Sequence, residues 1–338
     1  MNGKTKWMRY HFQALQQRRI CHLFDPLLDN LLPLADGLNR RRLFHQGMTA
    51  EELCLGGARI NLYRLEGQSG HEEDLPVLLV HGIADSALTW SSIMVPLRCL
   101  GPVYAVDLPG FGLSGCPPHH QYTTFCDLVT VVQELIEGVI KRPVLLIGNS
   151  LGGWLAAHLA VVSPALLRGI VLLNPGGALL GGRDSWQGFV DTVEVADLRT
   201  VRKIYRQMFG RIHPELYLVQ RGFQSLFARD SVQQFVVNTS EADFLSVEDL
   251  RRISVPVALV WGLRDQFLPE GSFEFFIDSL PSPTVLLLPE SGHLPQRENP
   301  VEVAVFVSSF ARRIMVAAGA ENAGKGLPSS LMPSYVDD

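Results

Sequence analysis

Cysteine is scarce in this 338-residue chain, and its five residues (Cys21, Cys54, Cys99, Cys116 and Cys126) are scattered. There is no CxxC pair and no Cys/His spacing suited to zinc, and an odd count leaves at least one thiol free. A disulfide scaffold and a structural zinc site are not expected, and the usage suits a reducing, cytoplasmic setting. Long apolar runs are also missing. No stretch reaches the about 18 apolar residues of a spanning helix, and the basic start MNGKTKWMRYHFQALQQRR lacks the apolar core of a secretory signal. Charge of one sign does not dominate: the net charge is −5, which makes nucleic acid a poor partner. What is present is 47% hydrophobic and 19% charged residues, the balance of a soluble globular chain. At this length about three quarters of the unfolded surface can be buried.

The charge is unevenly spread. Residues 1–45 carry a net +5, from Lys4, Lys6, Arg9, Arg18, Arg19 and Arg40–Arg42 against Asp25, Asp29 and Asp36. Within residues 1–56, Ile20, Leu23, Phe24, Leu27, Leu28, Leu31 and Leu32 recur at helical spacing. Asp25 before Pro26 reads as an N-cap and first turn. The segment is expected to be an amphipathic arm. One reading packs it on the main body. The other gives it weak, peripheral contact with a membrane surface.

From residue 57 a regular alternation begins. Strands are expected at Ala58–Leu65, Leu75–Val80, Val103–Val106, Pro143–Ile147, Gly169–Leu173, Val257–Trp261 and Thr284–Leu288. Helical patterns lie at Leu88–Cys99, Thr124–Val139, Leu151–Val162, Gly271–Ser279 and Pro300–Ile314. Short Val/Ile/Leu runs separated by helices predict an α/β fold with a mostly parallel sheet covered on both faces. The early strands lack an intervening helix, so that edge is expected to be antiparallel.

Residues 57–175 and 246–316 are therefore expected to form the core. Residues 176–245 interrupt it as a helical insertion, read as a lid over the strand ends. There Val201, Ile204, Tyr205 and Met208 share one helical face, opposite Arg199, Arg202, Lys203 and Arg206, with Asp197 and Gly210 as candidate caps. The Pro/Gly-rich tail, 317–338, is expected to be disordered.

The chemistry concentrates at strand ends. Gly148-Asn149-Ser150-Leu151-Gly152-Gly153 follows one expected strand and opens a helix. A serine at such a turn is held in a strained backbone, with its hydroxyl pushed out of the sheet and helix-start N–H groups beside it. The plainer alternative is a serine that caps the helix. His81-Gly82-Ile83 ends another strand, so Ile83 and Leu151 could each aim a backbone N–H at one point, as an oxyanion hole requires. Serine needs an adjacent base, and His293, on a turn past the last strand, is the candidate. His81 is expected to bond loop backbone instead. A carboxylate should orient the base. Asp265, after the preceding strand, is the candidate, with Asp243, Asp249 and Glu290 as rivals, while Asp107 reads as a loop organiser.

HGIADSALTW (81–90), DLPGFGLS (107–114), GNSLGG (148–153), WGLRDQFLP (261–269) and SGHLPQRENP (from Ser291) together resemble the α/β-hydrolase superfamily, in its serine-hydrolase branch with a helical cap. The resemblance covers about residues 57–315. It implies Ser150 as nucleophile, Asp265 as acid, His293 as base, and Ile83 and Leu151 as oxyanion donors, with no metal and no organic cofactor. Relatives that cleave haloalkanes or epoxides place Asp where Ser150 stands, so those reactions are disfavoured. The expected activity is carboxylic-ester hydrolysis of a small-molecule, medium-chain or lipid-like ester, monoacylglycerol included. Trp186, Phe189, Tyr205, Phe209, Tyr217, Phe223 and Phe227 suggest an apolar pocket. One alternative is hydrolysis of a C–C bond in a vinylogous keto acid, with Arg183 or Arg264 as a carboxylate clamp. Another is a binding protein that has the fold without the catalysis.

Overall fold

The Val-, Leu- and Ile-rich runs assemble into one eight-stranded sheet, with the order β1-β2-β4-β3-β5-β6-β7-β8. The strands are β1 (Thr49–Leu55), β2 (Ala58–Leu65), β3 (Val77–Val80), β4 (Val103–Val106), β5 (Val144–Asn149), β6 (Leu167–Leu173), β7 (Val257–Gly262) and β8 (Thr284–Leu288). The computed structural model describes residues 31–68, 74–118, 122–181, 190, 198–211 and 216–325. From β4 to β8 every pairing is parallel, whereas β1–β2 and β2–β4 are antiparallel. Central strands β3, β4, β5 and β7 are buried at every position, which is why they read as continuous apolar runs rather than alternations.

The sheet begins earlier than the pattern predicts. Thr49–Leu55, expected within the arm, is β1, paired along its length with β2. Its sequence TAEELCL lacks an apolar face because it is an edge strand with five of its first six residues exposed.

The helices in chain order are α1 (Leu31–His45), α2 (Met94–Leu97), α3 (Phe125–Glu134), α4 (Leu151–Val162), α5 (Leu198–Met208), α6 (Leu216–Phe227), α7 (Asp230–Asn238), α8 (Val247–Arg251), α9 (Ser272–Ser279), α10 (Pro295–Glu298) and α11 (Pro300–Lys325). One face of the sheet packs Phe125, Val132, Leu155 and Leu159 of α3 and α4 against residues such as Ile60, Leu146 and Leu172. The other face packs Leu43, Trp90, Leu97, Val307 and Phe310 against Leu79, Ile147 and Val171.

Three helical expectations are corrected. Leu88–Cys99 divides into a 3₁₀ turn, Ala87–Trp90, and the short α2. Thr124–Val139 is α3, started by a reciprocal capping box between Thr124 and Asp127 and ended by a π turn, Leu135–Ile140. The last helix runs to Lys325, past Ile314 and into the stretch expected to be disordered. Residues 326–338 and the Ile20–Leu28 stripe with its Asp25–Pro26 start lie outside the described residues, as does Asp197.

Between β6 and β7 lie α5 to α8, with one bridge among the described residues, Ala178 to Leu245, outside the sheet. The two faces of α5 fall as expected. Val201, Ile204, Tyr205 and Met208 are buried, and Arg199, Arg202, Lys203 and Arg206 are exposed. Gly210 is not a left-handed cap: it has no positive φ, and a Cβ there would run into the Glu290 carbonyl.

Candidate active site

Ser150 is the hinge between β5 and α4. Its backbone sits at φ 55°, ψ −117°, and its side chain makes no capping bond to the helix. A non-glycine residue at positive φ is strained by about 1–3 kcal/mol and persists only when its surroundings impose it. Here Ser150 N–H donates to Leu173 O (3.1 Å), and Ser150 O accepts from Trp154 (2.9 Å) and Gly176 (3.0 Å). Gly152 lies so close to the Val80 carbonyl that a Cβ would overlap it. The helix-capping alternative therefore does not describe this serine.

The loop after β3 lies against the same turn, with Gly82 close enough that its Cβ would stand 3.1 Å from that of Ser150. Ile83, Ser150 and Leu151 line one cavity of about 680 Å³. His81 takes the part expected of it. Its Nε2 accepts from Leu108 N–H at 3.0 Å and its Nδ1 lies 2.7 Å from Gly82 O, both in the buried loop. Asp107 organises the neighbouring loop by accepting from Ala87 N–H, Leu113 N–H and Asn61 Nδ2 at 2.7–3.0 Å.

His293 and Asp265 meet in the interior. His293 Nδ1 lies 2.7 Å from Asp265 Oδ2, with both side chains 1% exposed. The carboxylate is held from three sides: Oδ2 accepts from Asn174 Nδ2 (2.7 Å), and Oδ1 accepts from Phe267 N–H (2.8 Å) and Leu268 N–H (3.2 Å). The Phe267 ring lies 4.9 Å from the imidazole. His293 and Ser150 face a second cavity of about 480 Å³.

The rival carboxylates are occupied elsewhere. Asp243 and Asp249 form capping boxes with Ser240 and Ser246. The Ser246 hydroxyl and backbone N–H hold the Asp249 carboxyl below its usual range. Glu290 pairs on the surface with Arg264 (2.6 Å) and Arg211 (3.4 Å). Arg264, offered as a carboxylate clamp, is thus already engaged, and Arg183 lies outside the described residues. Of the aromatic set, Tyr205, Phe209 and Phe223 line the second cavity, while Phe227 is buried in the core. Trp186 and Phe189, and the side chain of Tyr217, lie outside the described residues.

Three positioning groups escape the motif reading. Asn174, at φ 39° just past β6, bonds Asp265 and accepts from Gly262 N–H at 2.9 Å. Asn149, inside the serine motif, donates through Nδ2 to His293 O (2.9 Å) and Leu173 O (3.0 Å). Met208, the last residue of α5, accepts from His293 N–H at 2.6 Å. Glu298 adds a clasp, accepting from Gly210 N–H (2.9 Å) and Gly292 N–H (2.8 Å).

This sheet order, with its nucleophile-type turn after β5, defines an α/β hydrolase. The family model described as "Alpha/beta hydrolase family" matches residues 77–305, more than half of the chain, and the chain belongs to that family. It is 24% identical over 250 residues to a pimeloyl-[acyl-carrier protein] methyl ester esterase of Aeromonas hydrophila, covering 69% of this chain and 94% of the relative. It is 25% identical over 284 residues to a 2-hydroxymuconate semialdehyde hydrolase of Pseudomonas sp. CF600, covering 79% and 95%. In fold it is similar to a membrane phospholipase A described as a bacterial virulence factor, with a TM-score of 0.69 at 23% identity over 91% of this chain and 99% of that one.

Proposed function

We propose that this hydrolase cleaves carboxylic esters through an acyl-enzyme formed on Ser150. The observation that carries the reading is the strained Ser150 facing one cavity with His293, whose other ring nitrogen is fixed by a buried carboxylate. A proton on Nδ1, held by Asp265, leaves Nε2 free to take the Ser150 proton as the hydroxyl attacks the ester carbonyl. The oxyanion is received by the N–H groups of Ile83 and Leu151. The C–O bond to the alcohol then breaks, and the alcohol leaves with the proton His293 carried. Water, deprotonated by the same imidazole, attacks the acyl-enzyme and releases the acid. Neither step calls for a metal or an organic cofactor.

The segment 176–245 acts as a lid in this reading. Support comes from Val190, Phe235 and Tyr205, which lie in it and line the two cavities. Apolar acyl groups of medium length suit the larger cavity, whose walls include Leu179, Phe235 and Leu268. The scattered cysteines support a cytoplasmic setting, and no described helix is long and apolar enough to cross a membrane.

The test is a panel of p-nitrophenyl esters from acetate to palmitate beside a vinylogous keto-acid substrate. Ester turnover that peaks at intermediate chain length and vanishes in Ser150→Ala is expected. Cleavage of the C–C substrate alone would reassign the enzyme to C–C bond hydrolysis.

A further inference from the structure

We propose that α1 completes the reacting cavity as a recognition subsite for the alcohol half of the ester, and that this half is a neutral alcohol bearing free hydroxyls, of the glycerol type. The proposal rests on the ester-hydrolase reading and adds to it which end of the substrate goes where.

Two cavities meet at Ser150. The larger contains Ile83 and Leu151 but not His293, and Glu241 is the one charged residue in its described lining. The smaller contains His293. The departing alcohol oxygen must receive its proton from the imidazole, so it must lie where the imidazole is reachable. That places the alcohol in the smaller cavity and the acyl chain in the larger, apolar one.

The smaller cavity holds more of the charged side chains, among them Asp36, Asp85, Arg229 and Arg297, and part of its wall comes from outside the family match of residues 77–305. From α1, Leu32, Pro33, Asp36 and Arg40 face it. The helix is fixed in place. Leu43 is fully buried, Arg42 donates to Ser91 O (3.1 Å), and Arg40 Nε donates to the Tyr63 hydroxyl (3.1 Å). Leu32 packs so tightly on Gly222 of α6 that a Cβ would stand 2.6 Å from its own.

Most charges there are already answered. Arg297 bonds Asp85 (2.9 Å) and Thr89 (2.8 Å), and Asp107 accepts three bonds. Asp36 is the exception, with no hydrogen bond or ion pair among the described residues. Burial pushes its carboxyl up, against the pull of Arg297 and Arg40. Tyr205 lines the same cavity. A half-buried acid without a hydrogen-bond donor is costly, and a ligand hydroxyl relieves that cost by donating to it. A hydroxyl can also accept, from Tyr205 or the free guanidinium N–H groups. A substrate carboxylate would meet Asp36, Asp85 and Asp107 along with Arg40, Arg229 and Arg297, a lining whose carboxylates and guanidinium groups balance and so give it no net attraction. A bare methyl would leave Asp36 desolvated and unanswered.

The experiment compares kcat/KM for a medium-chain 1-monoacylglycerol and for the methyl ester of the same acid, in the wild type, Asp36→Ala and Asp36→Asn. Melting curves confirm that the variants are folded. The wild type is expected to prefer the glyceryl ester. Asp36→Ala should cut that preference about tenfold, the loss expected for one hydrogen bond to a charged group, with Asp36→Asn between. If Ser150 reacts with a fluorophosphonate but the enzyme shows no glyceryl preference, or keeps it in Asp36→Ala, the subsite is wrong and the ester reading stands. If Ser150 does not react and neither ester is cleaved, the ester reading falls and the subsite falls with it.

Discussion

At the scale of single residues, the site depends on groups whose geometry is imposed by distant backbone. Asp265 accepts three bonds in addition to His293, so its carboxylate is fixed before any substrate arrives. Asp265→Asn should lower turnover about 10⁴-fold, because the amide can present N–H to the imidazole and favour the wrong tautomer. Near-normal turnover in that variant, with a crippled Asp243 or Asp249 variant, would move the acid to the end of the insertion. Asp36 bears on stability with the opposite sign from a salt-bridged acid. Burial raises its pKa, so the folded chain holds that proton more tightly than the unfolded one. Stability should therefore fall as pH climbs from the unfolded-state pKa through the raised folded-state value, then level off. Asp36→Asn should melt higher than wild type at neutral pH, with the gap closing in acid; a gap independent of pH would contradict this. The placement of Ser150, Asp265 and His293 just past strands was legible in sequence because each sits in a short motif after an apolar run. Asn174 and Asn149 were not, since an Asn past or at the end of a strand reads as turn chemistry. Their work lies in contacts 91 and 144 residues away along the chain.

At the scale of elements, the insertion grips the loop that carries His293. The α5 terminus offers Met208 O to His293 N–H, and Glu298 ties Gly210 to Gly292. A Cβ at Gly210 would collide with the Glu290 carbonyl, so Gly210→Ala should destabilise the fold by about 1–3 kcal/mol and reduce turnover with it. Unchanged melting with unchanged turnover would show that the loop gives way freely. In the larger cavity, Leu268→Trp fills acyl space and should move the chain-length optimum toward shorter p-nitrophenyl esters. An unmoved optimum would mean the acyl chain lies elsewhere. Most of the sheet was legible, because strands buried on both faces are continuous apolar runs. The edge strand β1 was not, because half-exposed residues carry no such run. Pro96 and the π turn explain two shortened helices, and the alanine-rich segment after Val316 explains the lengthened one.

At the scale of the molecule, the N-terminal charge and the two cavities belong to one question, how substrate arrives. Of the arm's described residues, those of α1 pack on the body through Leu43 and line the cavity that Ser150 and His293 share, while Leu34, Leu38 and Phe44 stay exposed beside Arg41. With a net +5 over residues 1–45, weak attraction to anionic vesicles is expected. It should fade as salt shortens the Debye length below ~8 Å. Removing residues 1–30 should abolish it while leaving α1 in place. Sedimentation without vesicles at low salt would make the arm a packing element only. The central claim is that Ser150 forms the acyl-enzyme, and its most direct test is intact-mass analysis after exposure to a fluorophosphonate. One adduct is expected, mapped to Ser150 and absent in Ser150→Ala, together with a loss of ester turnover on the order of 10⁴- to 10⁶-fold in that variant. An adduct on another residue, or turnover retained in Ser150→Ala, would contradict it.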